Sequence, residues 1–508
     1  MNKTLAFVIN QVDFVENLGI PFLSATAKQL GWHVELFVFD QDTIDEEMRR
    51  VKPDLIGYSV MSSDADSFLY INNYLKNRYD FISIMGGPHP TYFPDVRLED
   101  GIDYICRGEG EVCFAEFLTR LERHESVDDI PNLGSAHFLN PLGDLIADLD
   151  SLPMPDRDLT FQKTELGQSK LKLFCQSRGC PFSCSYCFNN PLNQMQKGLG
   201  KSYRFFSPER VCAEINELRS RYPLTFVKFQ DDLFCPKTDW LQDFCTVYQR
   251  EVNLPFYALE RLDLIDEERI RMLKEANCRS LGFAIDSSDI SIRKGLLGRG
   301  MHLTNEEIID RLRMVRSHGI YTVTNFILGV PQASAQIDFD GTKINSEGRV
   351  TYGMSTILVP YPGTAIYNNV VEKNLLDEDI SDLKKTRPFS SIQKRSVLNC
   401  FTAKEKDVQF NLSVMYPVLG AYPRWRPFLY FLCRHLPPNP LFVFLAVLEK
   451  GFKMDQYVYP THESPWRKLK MFLKARRLEK ERMWGDDIAP QATQAAAETY
   501  GSRSEAAG

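Results

Sequence analysis

Short apolar runs alternate with amphipathic stretches along the first 150 residues of this 508-residue chain. Leu5 to Ile9, Val34 to Phe39, Leu55 to Val60 and Ile82 to Met85 read as buried strands. The stretches near Ile20 to Leu30, Glu46 to Val51 and Ser67 to Lys76 carry helical periodicity between them. Such alternation predicts βα units wound into a parallel, doubly wound sheet. Ligands of that architecture sit beyond the carboxyl ends of the strands. Small residues stand at several of those ends: Gly19 after the first strand, Ser59, Ser62 and Ser63 after the third, and Gly86-Gly87-Pro88-His89-Pro90 after the fourth. The first turn has no G-x-G-x-x-G fingerprint, which argues against a dinucleotide site.

The linker Asp148-Leu149-Asp150-Ser151-Leu152-Pro153-Met154-Pro155-Asp156-Arg157 is acidic and punctuated by proline. After it the βα pattern resumes, with strands read at Leu171 to Cys175, Thr225 to Phe229, Phe256 to Leu259, Ser280 to Ile285, Tyr321 to Leu328 and Met354 to Val359. The expected divisions are 1–147, a linker over 148–165, a second βα domain over 166–371, a helical region over 372–489 and a disordered tail over 490–508, rich in Ala, Ser, Gly and Gln.

In the helical region, Phe428 to Leu432 and Leu441 to Leu448 are apolar but too short to span a bilayer, which takes roughly 20 residues. They read as core helices, with an interfacial, lipid-touching hairpin as the alternative. The basic stretch Arg467 to Arg482 reads as a solvated helix face that would also suit an anionic surface. A net charge of −7 spread along the chain gives no polyanion-binding surface, so nucleic acid is not expected as a partner. The N-terminal apolar run is too short for a signal peptide, and the twelve cysteines form no small-scaffold pattern; both point to the cytoplasm.

The chemistry concentrates at Gly179-Cys180-Pro181-Phe182-Ser183-Cys184-Ser185-Tyr186-Cys187. The C-x3-C-x2-C spacing brings three thiolates together and supplies no fourth. Iron-sulfur clusters normally take four cysteines, so a four-iron cube held by three keeps one iron open for chemistry. A structural zinc site is the alternative, but its usual second C-x2-C pair is missing; Cys175, Cys212, Cys235, Cys245 and Cys278 are scattered singly.

The segment RGCPFSCSYC resembles the signature of the radical S-adenosylmethionine superfamily. The resemblance implies a partial (β/α)6 barrel carrying a [4Fe-4S] cluster on Cys180, Cys184 and Cys187. S-adenosylmethionine would chelate the open iron and be cleaved by one electron to a 5'-deoxyadenosyl radical. Tyr186 would pack near the adenine, or simply over the cluster to keep water out. Polar residues at strand ends become candidates for holding S-adenosylmethionine: Asp231 and Asp232, Glu260 and Arg261, Asp286 and Ser287. Their plain readings are a helix cap for Asp232 and a surface ion pair for Glu260 with Arg261. Asp286 stands where relatives usually carry Glu, and Gly329-Val330-Pro331-Gln332 lacks the acid often found after G-x-P-G.

GGPHPTYFP at Gly86 to Pro94, followed by CRGEGE at Cys106 to Glu111, resembles the cobalamin-binding domain fused to many of these enzymes. Pro360-Tyr361-Pro362-Gly363-Thr364 and the R-G-x-x-x-T stretch from Arg299 to Thr304 match the same subfamily. The resemblance makes Gly19, Ser59, Ser62, Gly86, Gly87, His89, Gly108, Glu109 and Gly110 the cobalamin candidates. The D-x-H-x-x-G motif of classical cobalamin domains is replaced by Asp13-Phe14-Val15-Glu16-Asn17-Leu18-Gly19, without a histidine. His89 is then either a substitute ligand or, between two prolines, a shape element.

Together these resemblances imply a cobalamin-dependent radical S-adenosylmethionine methyltransferase that methylates an unactivated carbon of a small, hydrophobic substrate. A reductant such as flavodoxin or ferredoxin would supply the electron. A cyclase or rearrangement enzyme with the same cofactors, and a non-catalytic cobalamin sensor, are the competing expectations.

Overall fold

A computed structural model describes residues 3–10, 16–377 and 395–461, together with positions 463, 464, 466, 470 and 473. The stretch beyond Arg467 expected to be basic lies largely outside the described residues, and so do the tail after residue 490 and positions 13–15 of the loop after the first strand. The described chain divides into two compact units, residues up to Ser169 with Gln196–Lys201, and Lys170–Met195 with the residues from Ser202 onward.

The first unit contains β1 (Thr4–Ile9), α1 (Gly19–Gln29), β2 (His33–Val38), α2 (Ile44–Val51), β3 (Leu55–Ser59), α3 (Ala65–Lys76), β4 (Ile82–Gly86), α4 (Pro88–Tyr92), β5 (Tyr104–Cys106), α5 (Glu111–Arg123), β6 (Leu133–Gly134) and α6 (Asp158–Phe161). Its sheet runs β2-β1-β3-β4-β5-β6, parallel except for β6. Alternate residues of β1 feed two cores: Leu5 and Phe7 join Phe114 and Phe117 on one face, while Ala6 and Val8 join Ile56 and Phe68 on the other. A strand buried on both faces must be apolar throughout, which is why β1 reads as one unbroken run. The strand order reverses between β1 and β3, so the crevice of this unit opens at their carboxyl ends.

Residues 148–169 pack onto this unit, which therefore extends past the expected boundary at 147. Asp156 accepts from Ser24 Oγ at 2.6 Å and pairs with Lys28, Arg157 forms a buried ion pair with Glu16 at 3.3 Å, and Leu159 and Phe161 are buried. A proline-punctuated sequence reads as a linker, but its leucines and Phe161 supply the apolar area that docks it.

The second unit contains β7 (Leu171–Phe174), β8 (Ser177–Arg178), α7 (Asn189–Met195), β9 (Arg204–Phe205), α8 (Pro208–Arg221), β10 (Phe226–Phe229), α9 (Thr238–Glu251), β11 (Phe256–Glu260), α10 (Glu267–Glu275), β12 (Cys278–Asp286), α11 (Ile290–Lys294), α12 (Asn305–Ser317), β13 (Tyr321–Leu328), α13 (Ala335–Glu347), β14 (Tyr352–Ile357), α14 (Ala365–Glu372), α15 (Ala403–Ala421), α16 (Arg426–His435) and α17 (Pro440–Lys453). Six parallel strands lie in chain order, β7-β10-β11-β12-β13-β14, the sheet of a partial (β/α)6 barrel. Each predicted strand is present within two residues of its expected bounds.

Helix α15 packs on β14 and α13 and is buried along most of its length. Its Asn411 donates to the carbonyls of Cys433 and Leu436 at 3.0 and 2.9 Å, closing the C-terminus of α16. No helix among the described residues is long and apolar enough to cross a membrane.

Candidate functional site

The cysteine loop follows β7, at the carboxyl end of the parallel strands, where barrel folds place their chemistry. Its entrance is fixed by the short β8-β9 ladder. Gly179 lies at φ +81°, and a Cβ there would collide with the Ser202 carbonyl oxygen, so the residue before Cys180 must be glycine. The exit is fixed by Ser185, whose N–H and Oγ donate to the carbonyls of Leu297 and Leu296 at 3.0 and 2.6 Å and whose carbonyl accepts from Ile366 N at 2.9 Å. The Pro360–Thr364 turn leans on the same loop, with Tyr361 and Phe188 ring centroids 5.0 Å apart. The threonines of its two subfamily motifs are helix caps: Thr364 accepts from Tyr367 N, and Thr304 forms a capping box with Glu307.

Cys184 is buried, and Cys180 and Cys187 are half-buried. Burial pushes the Cys180 thiol up to about 11, and the other two cysteines and Asp232 push in the same direction. The three sulfurs thus share one low-dielectric space. No three Cys, His, Asp or Glu side chains among the described residues converge on a single-ion shell. Three cysteines in the loop and no fourth suit a [4Fe-4S] cluster that keeps one iron open.

Around Cys184 the strand ends build a buried charged assembly. Tyr186 OH donates to Asp286 Oδ2 at 2.7 Å, Arg299 Nε pairs with the same oxygen at 3.2 Å, and Arg299 Nη1 approaches Tyr186 OH at 3.4 Å and Cys184 Sγ at 3.7 Å. Burial works against the charged guanidinium, but Asp286, Tyr186 and Cys184 outweigh it and hold Arg299 above its ordinary value. Asp286 lies at φ +71° where the pairing of β12 with β13 slips register. Asp is among the residues that best tolerate this left-handed conformation, so the shorter acid in place of the usual Glu matches the backbone it occupies.

Glu260 and Arg261 are buried rather than superficial. Glu260 pairs with Arg269 at 3.0 Å; Arg261 pairs with Asp263 at 2.7 Å, donates to the Arg299 carbonyl at 3.0 Å, and lies over the Phe182 ring at 3.8 Å. Asp232 is exposed, caps no helix and faces the cysteine cluster; Ser287 is buried beside Asp286.

Asp231 accepts from the N–H groups of Gln176 and Ser177 at 3.0 and 2.7 Å and from Ser177 Oγ at 2.6 Å, all on Oδ1, while Oδ2 is buried without a hydrogen-bond partner. Gln176 Oε1 and Asn325 Oδ1 are further buried acceptors left open. A ligand bearing donors and positive charge, such as the ammonium and sulfonium of S-adenosylmethionine, fits such a set.

Burial raises Asp231 to about 7 from an ordinary 3.8, because no cation offsets its desolvation. The folded protein then holds a proton that the unfolded chain releases above pH 4, so this group's contribution to stability falls as pH rises from about 4 to about 7. Asp231→Asn keeps the Oδ1 acceptor and removes the titration. We expect it to flatten the pH dependence of urea unfolding across that window; an unchanged slope would refute the assignment.

In the first unit, hydrogen bonds tie four loops along the carboxyl edge of the sheet. Asn17 Nδ2 donates to Ser59 Oγ at 2.9 Å, Ser62 Oγ meets His89 Nδ1 at 3.2 Å, and Gly108 N donates to Thr91 Oγ1 at 3.0 Å. Gly19 N donates to Asn17 Oδ1, starting α1. Gly87, at φ +97°, has the Val60 backbone 2.9 Å from where a Cβ would be, and Gly86 ends β4 beside it. Glu109 accepts from Ile146 N at 3.1 Å and Gly110 precedes α5, so both shape the loop after β5. Desolvation drops His89 to about 4, leaving a neutral ring. Hydroxyl, amide and main-chain groups suit the amide-rimmed edge of a corrinoid. Sequence reasoning passed over Asn17, Thr91, Gln176 and Arg299 as site residues, although Thr91 and Arg299 lie inside the subfamily motifs and Asn17 inside the loop that replaces D-x-H-x-x-G.

A sheet switched at β1/β3 and a second, six-stranded half barrel with a three-thiol loop define a radical enzyme with a corrinoid-type domain in the same chain. Family models agree: the B12 binding domain matches residues 6–118 and the Radical SAM superfamily matches residues 175–336. An uncharacterized methyltransferase of Pyrococcus horikoshii is 27% identical over 340 residues, 65% of this chain and 72% of that protein. The anaerobic magnesium-protoporphyrin IX monomethyl ester cyclase of Rubrivivax gelatinosus is 20% identical over 404 residues, 75% and 70% of the two chains. The structure of the radical S-adenosylmethionine methyltransferase TsrM from Kitasatospora setae, with cobalamin and [4Fe-4S] cluster bound, superposes with a TM-score of 0.66 over 98% of this chain and all of that one at 15% identity, a likeness of fold. The chain belongs to the cobalamin-binding radical S-adenosylmethionine enzymes, whose cofactors are a [4Fe-4S] cluster, S-adenosylmethionine and cobalamin.

Proposed function

We propose that this enzyme methylates an unactivated carbon of an apolar small molecule, with electrons from a flavodoxin or ferredoxin. The observation that carries the reading is the charged assembly packed against Cys184, in a chain that also holds a corrinoid-type unit. When bound, the cluster and S-adenosylmethionine supply a 5'-deoxyadenosyl radical and cobalamin supplies the methyl group. Cys180, Cys184 and Cys187 hold the cluster, and Arg299 with Asp286 fixes the orientation of Tyr186 beside it. Asp231, Glu260 and Arg261 line the strand ends where the methionine and ribose of S-adenosylmethionine would be held. Ser59, Ser62, Gly86, Gly87, His89 and Gly108 shape the corrinoid edge, and the neutral His89 ring contributes shape and a hydrogen bond. Apolar helices α16 and α17 favour a lipid, polyketide or tetrapyrrole over a sugar.

The test is an anaerobic reaction with cell extract and S-adenosylmethionine carrying a heavy methyl group. The expected result is a labelled product, with S-adenosylhomocysteine and 5'-deoxyadenosine formed together. Unlabelled product with 5'-deoxyadenosine alone would overturn methyl transfer in favour of the cyclase chemistry named for the Rubrivivax relative.

A further inference from the structure

Helix α17 buries one face, and α16 its Cys433, where the two pack on α15, and both turn apolar side chains outward. On α17, Phe442, Val443 and Val447 are buried, while Leu441, Phe444, Leu448 and Phe452 form a helical stripe, with Leu441 60% and Phe452 56% exposed. At the start of α16 the exposed residues are Trp425, Phe428 and Phe431, at 64, 54 and 55%. Soluble proteins seldom leave so many large apolar side chains uncovered in one region.

Charge is biased at the same place. From Tyr422 to Lys453 the chain carries five Lys or Arg and a single acid, Glu449, which is buried, although the whole chain is net −7. Arg424 and Arg434 are exposed beside the aromatic residues, while Lys453 pairs with Glu449 at 3.9 Å. A second copy meeting this face with its own would oppose like charges. Further on, from Arg467 to Arg477, the sequence carries six Lys or Arg and no acid. Outward Trp and Phe interleaved with Lys and Arg, on helices too short to cross, is the composition of an element lying in a membrane interface.

We infer that the exposed face of α16 and α17 docks this enzyme peripherally on an anionic lipid bilayer. The aromatic side chains enter the headgroup boundary and Arg424 and Arg434 meet the anionic headgroups. This inference concerns the outward face of the two helices and does not rest on the methyl transfer assigned above.

The test is co-flotation of the full chain, reconstituted with its cluster, with vesicles of phosphatidylcholine alone or with about one third phosphatidylglycerol. Flotation at least tenfold greater with the anionic vesicles, reversed by ~0.5 M salt, is expected. The triple variant Trp425→Ser, Phe428→Ser, Leu441→Ser should lose flotation. The charge variant Arg424→Gln, Arg434→Gln alters only exposed positions, so it tests the idea even if the first variant misfolds; it should weaken anionic binding roughly tenfold. Absence of flotation, equal flotation with both lipids, full flotation of the charge variant, or a dimer by light scattering that the triple variant abolishes without any flotation would each overturn the inference.

Discussion

Cys184→Ala protein, prepared and reconstituted without oxygen, should emerge colourless, with iron and sulfide at least tenfold below the parent and with S-adenosylmethionine cleavage below detection. Among the described residues, Cys180, Cys184 and Cys187 are the thiols of this loop that act on one another, so removing one leaves two, and two cannot retain a cube of four irons. Cys235, Cys245 and Cys278 are buried in the strand and helix core of the same unit and do not substitute. The lost sulfur is small and buried, so the fold should persist at a cost of about 1 kcal/mol. Corrinoid binding should be untouched, because its candidate groups lie in a unit with its own two-faced core. Parental iron and sulfide in the variant would remove the basis for the cluster assignment, and a corrinoid-dependent behaviour indifferent to the change would favour a sensor over an enzyme.

Much of this was legible in the sequence, for physical reasons that also mark where legibility ends. Strands buried on both faces must be continuous apolar runs, so the sheets could be read off within two residues; β5 and β6, three and two residues long, gave no such run. The cysteine spacing was legible because the chemistry is local in the chain. The groups around it are not local. Arg299 reaches Cys184 from 115 positions away, and its pairing with Asp286 depends on a register slip in β12 that no periodicity announces. Glu260 and Arg261 looked like a pair with each other because they are neighbours; burial sends them to Arg269 and Asp263 instead. Successive residues of a strand point to opposite faces, so adjacency there argues against contact.

Arg299→Met should destabilise the second unit by about 3–5 kcal/mol, since it leaves the Asp286 carboxylate, only 2% exposed, without its cation. The Tyr186 hydroxyl remains as one donor, which is too little to replace a full charge at this burial. Asp286→Asn alone strands Arg299 less severely, because the Ala284 carbonyl at 3.1 Å still accepts from it. If the two side chains act as a pair, the double variant costs less than the sum of the singles by about 1–3 kcal/mol. Urea unfolding of the four apo proteins measures this cycle, and strict additivity would show that the pair is incidental. A second readout separates positioning from packing. Arg299 Nη1 aims at Cys184 Sγ, and a donor to a ligand sulfur stabilises the more reduced cluster. The midpoint potential of the reconstituted cluster should therefore fall in Arg299→Met and recover toward the parent in Arg299→Lys. A potential unmoved by both substitutions would confine Arg299 to holding the fold.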